Sequence, residues 1–66
     1  VPELAEEDIV RLQRLLRETS LEVVLLAVGK ACERWADAYS GSIYDDWITR
    51  RDIAFDAADL ARTEGL

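Results

Sequence analysis

The chain has 66 residues, half of them hydrophobic, and fourteen acids against eight bases leave a net charge of −6. That length holds one domain at most, and a pI near 4.4 argues against direct nucleic-acid binding, which needs a basic face to displace counterions. Histidine is absent and Cys32 is the single cysteine, so an internal disulfide is excluded and the commonest zinc ligand is missing.

A core of this size supplies only about 3–5 kcal/mol without a disulfide, a metal or a partner. With the first ruled out and the second disfavoured, self-association is the aid left. The mixed charge and high apolar content argue against disorder. The chain opens on Val1 rather than methionine, as expected of a trimmed chain or a piece of a larger parent.

Pro2 is the only proline, and glycine occurs at 29, 41 and 65. Alanine, leucine, glutamate and arginine, all strong helix formers, fill the long stretches between, and no segment alternates as a strand would. The fold expected is all-α: a small antiparallel three-helix bundle, with a short first helix and two long ones, completed by homodimerisation. One helical module spans residues 1–66.

The first helix is expected over about 5–17. Ala5, Ile9, Leu12 and Leu16 recur on one stripe with Leu15 beside them. Glu6, Glu7 and Asp8 crowd its start and Arg11, Arg14 and Arg17 its end, in the order that complements the helix dipole. The arginines lie a turn from acids, which reads as a solvated surface rather than a phosphate site.

The joint "ETSLE" offers Thr19 with Glu22 as a capping box and Ser20 as the competing N-cap. The second helix is expected over about 21–40, with a main stripe of Leu21, Val24, Leu25, Val28, Cys32, Trp35 and Tyr39. Val23, Leu26 and Ala27 widen the apolar arc of its first half. Short joints make neighbouring helices antiparallel, so helix 1 is expected to fold back over that half while helix 3 covers it from the other side. The run is too short to span a membrane, which takes about 20 apolar residues, and no basic segment precedes it as in a secretory signal. A soluble, cytoplasmic protein is the expectation.

In the second joint, "YSGSIYDDW", Gly41 suits the left-handed position after a helix end, and Ser42 with Asp45 makes a further capping box. The third helix is then expected over about 43–64. Ile43, Trp47, Ala54, Ala57, Ala58 and Ala61 form its inner face, and the alanines allow close approach.

Two features exceed this bundle. Gly29 sits mid-helix at a cost of about 1 kcal/mol relative to alanine, on a face with Leu26. Ile48 and Phe55 lie one heptad apart on a second face of helix 3. Leu26, Gly29, Ile48 and Phe55 are therefore the expected interface, with a second copy of the chain or with another protein.

The chemical candidates are sparse. Glu33 and Asp37 on helix 2, with Asp52 and Asp56 on helix 3, have the spacing of carboxylates that hold hard cations. They read first as a solvated acidic face, so no metal, cofactor or catalytic residue is assigned. Cys32 has no histidine to activate it and fits the core stripe. Trp35, Tyr39, Tyr44 and Trp47 surround the second joint and read as a plug for the end of the bundle that helix 1 does not reach, with a ligand pocket as the alternative. The function expected is a small acidic interaction or regulatory module acting by binding and self-association. The alternatives are a carboxylate- and metal-dependent hydrolase assembled by oligomerisation, and an acidic decoy of a nucleic-acid-binding protein.

Overall fold

The structure, a computed structural model, describes residues 3–66; Val1 and Pro2 lie outside the described residues. It is all-helical, with α1 over Glu6–Glu18, α2 over Leu21–Ala36 and α3 over Gly41–Thr63, and no strand among the described residues. No helix is long and apolar enough to cross a membrane among these residues.

The close contact is between α2 and α3. Its centre is a line of small side chains: Gly29, Cys32 and Ala36 on α2 are buried, as are Ala54, Ala58 and Ala61 on α3. With so little side chain between them the backbones draw near. The Phe55 ring lies over Gly29, where even a Cβ would collide with it. That contact explains a glycine in mid-helix. Partners are met in reverse order along the two helices, since Gly29 faces Phe55, Glu33 reaches Arg51 and Trp35 stacks on Trp47. At the far end the Glu22 N–H donates to the Leu66 carbonyl at 3.4 Å.

The alanine face expected of helix 3 is thus the seam, with Ile43 lying outside it as an exposed residue. The stripe expected of helix 2 needs correction. Leu25 and Cys32 point inward, but the buried line runs through Gly29 and Ala36 rather than Val28 and Trp35, both of which are exposed. The helix is turned by roughly 60° from the expected orientation at 3.6 residues per turn, because the smallest residues permit the closest approach.

The expected wrapping of helix 1 over helix 2 is not what the structure shows. α1 touches α2 only lightly, makes no contact with α3, and has no buried residue. The two helices meet at Thr19, whose backbone, φ −124° and ψ −129°, lies outside the helical region. Ser20, not Thr19, is the N-cap of α2, its Oγ accepting from the Val23 N–H at 3.2 Å. The Thr19 hydroxyl instead donates back to the Leu15 carbonyl at 2.6 Å. Both helix ends are fastened at adjacent residues, and α1 leaves as a splayed arm. The radius of gyration is 13.1 Å, against about 11 Å for a compact domain of this length.

The second joint also differs from expectation. α2 ends at Ala36 and turns through the bonds Ala38 N–H to Trp35 O and Tyr39 N–H to Ala36 O. α3 therefore starts at Gly41 with Ser40 at its N-cap position and no side-chain cap, so the Ser42 and Asp45 box is not used. Gly41 does take a left-handed conformation, φ +67°, but at the head of α3.

Candidate interaction surface

With α3 on one side of α2 and α1 splayed, the opposite side of α2 is bare. Val23 is 49% and Val28 44% exposed, and Ala27 and Ala31 lie between them on the same outward face. Two hollows follow this face. One, about 300 Å³, is almost wholly apolar and opens between Leu12, Leu15 and Thr19 of the arm and the Val23–Ala31 stretch of α2. The next, about 520 Å³, is lined by α2 and the joint alone, from Ala27 through Lys30, Arg34 and Trp35 to Ala38. Ala27 and Ala31 belong to both, so the hollows form one groove along the back of α2. The arm offers a matching face, since Ile9, Leu12, Leu15 and Leu16 are all exposed.

The accessible surface is 5406 Å², whereas a compact monomer of 7.5 kDa exposes roughly 4,200 Å². The excess, roughly 1,200 Å², is of the order of what one partner buries in a stable protein interface, about 800 Å².

Of the four residues expected at an interface, Leu26 is exposed and Ile48 half-buried. Gly29 and Phe55 face each other inside the chain and serve the α2–α3 seam. On α3 the most exposed large residues are Ile53 and Leu60, 65% and 63%, which the sequence reading did not single out. Their signal was available: they are one heptad apart and off the alanine line.

The carboxylates do not converge. Among the described residues no three acidic or cysteine side chains are gathered so as to hold a metal ion. Glu33 and Asp52 meet at a guanidinium instead, with Arg51 donating to Asp52 at 2.9 Å and to Glu33 at 3.5 Å. Donating to the Asp52 carboxylate raises the Arg51 pKa above its ordinary value, partly opposed by desolvation. Asp37 ends α2 and Asp56 is exposed. Cys32 is 8% exposed within the seam.

The aromatic residues hold the joint end of α2 and α3 together. Trp35 stacks on Trp47 with centroids 6.1 Å apart and on Tyr39 at 6.3 Å, and the Arg50 guanidinium lies 4.4 Å over the Trp47 ring. Trp35, Tyr39 and Tyr44 remain exposed, so the stack bridges the helices without sealing their end. Comparison with family models, curated proteins and solved structures finds no match to this chain.

Proposed function

We propose that the chain is an acidic helical interaction module that acts by binding, and that its first partner is itself. In this reading an antiparallel α2–α3 hairpin is the rigid part, and the arm with the back of α2 is the binding part. The observation that carries it is the bare apolar face of α2 opposite an equally bare apolar arm. Contiguous exposed apolar surface of this kind is typical of protein interaction sites. The small seam supports the same reading, because its alanines and glycine bury little apolar area, and a chain of this length gains stability by association.

Light scattering after gel filtration, at micromolar concentration, tests the proposal. The expected mass is twice 7.5 kDa, with a melting temperature that rises with protein concentration. A mass of 7.5 kDa with concentration-independent melting would sink it.

A further inference from the structure

The self-association reading leaves open what fills the groove along α2. We infer that its occupant is the α1 arm of a second copy, exchanged reciprocally, so that the acidic first turn of each arm lies against Lys30 and Arg34 of the other chain. This inference rests on the self-association reading and adds the site, the partner element and its direction.

Length is the first argument. The arm has 13 residues, about 20 Å of helix, and the groove follows α2 from Val23 to Trp35, also about 20 Å. Tethered to its own α2 by a two-residue joint, the arm touches that helix only lightly and buries no residue there. A second copy has no such tether, and exchange of an identical element is a low-cost route to a two-fold dimer.

Charge supplies the direction. Two chains of net charge −6 repel unless their contact brings opposite charges together. At the C-terminal half of the groove stand Lys30 and Arg34, neither of which forms an ion pair within the chain among the described residues. At the arm's free end Glu6 and Asp8 flank the leucine stripe, one on each side at helical spacing. Setting acid against base runs the arm antiparallel to the receiving α2, and its leucines then fall on the valine half. The excess surface of roughly 1,200 Å² is enough for such a contact, given about 800 Å² per partner in a standard interface.

Charge reversal and mixing test this in the 66-residue chain. One variant carries Lys30→Glu and Arg34→Glu, the other Glu6→Lys and Asp8→Lys, with circular dichroism to follow helicity and sedimentation velocity to follow mass. Each variant alone should dimerise about tenfold more weakly than the parent or worse. An equimolar mixture should recover the parent's affinity, since both exchanged contacts then pair acid with base; that recovery also excludes misfolding as the cause of the single losses. A parent dimer indifferent to both reversals, or a mixture that stays as weak as its components, would overturn the arm exchange and leave self-association through another face standing. A monomeric parent would overturn both.

Discussion

The two faces of α2 follow opposite designs. Toward α3 the helix presents Gly29, Cys32 and Ala36, side chains so small that stability comes from close approach. Away from α3 it presents Val23 and Val28, which are larger, more apolar and left half-exposed. A helix apolar all round belongs in a core, yet only the smaller residues are covered within one chain. On the proposed reading, the more apolar side is the one that takes a partner, while the seam holds the two helices together.

The sharpest way to break this contrast is to enlarge the seam. Ala58 is almost completely enclosed, and Ala58→Leu would force the helices apart at a cost of about 1–3 kcal/mol. Against a total of about 3–5 kcal/mol, chemical denaturation should show a large part of the stability lost and a markedly lower midpoint. On the groove side, Leu12→Asp should leave the helical content nearly intact but remove about 1.5–3 kcal/mol of apolar burial from association, seen as a dimer-to-monomer change in sedimentation. If both substitutions unfold the chain alike, the division between the two faces is wrong.

A smaller effect is expected at the elbow. Ser20→Ala removes the cap of α2 and should cost about 1 kcal/mol, read as a lower denaturation midpoint. The smallest concerns the ion pairs outside the seam. Glu33→Gln loses only a long, half-exposed contact with Arg51, and such pairs contribute little, so its melting curve should overlay that of the parent. A clear drop would mean that the Glu33–Arg51–Asp52 cluster does more than line the edge of the hairpin.

Helix number, their approximate limits and the alanine face of α3 were legible in the sequence, because strong helix formers and a run of alanines at i, i+4 and i+7 leave few alternatives. The face that α2 turns inward was not. Counting hydrophobic residues gives Val28 and Cys32 equal weight, whereas packing against an alanine surface selects for small volume and so favours Gly29. The same weighting put Gly29 and Phe55 on separate outer faces of their helices as parts of an interface; in the structure the Phe55 ring lies over Gly29. The position of α1 was illegible for another reason. The joint's cap was ambiguous, since Thr19 and Ser20 were both suitable. Short joints imply a fold-back, but the direction of the arm follows the backbone at Thr19, φ −124° and ψ −129°, which no side-chain pattern specifies.

The stack of Trp35 on Trp47 has a practical side. All five aromatic residues of the chain come after residue 34, so the arm carries no chromophore of its own. Intrinsic fluorescence therefore reads the joint end of the hairpin, and an optical melt would pass over any loosening of α1. Trp35 alone also borders the groove, with its indole partly in water. Entry of another helix there would take that ring out of water and shift its emission to shorter wavelength. Dilution of the unlabelled protein, followed by its emission maximum, would then serve as a built-in gauge of assembly.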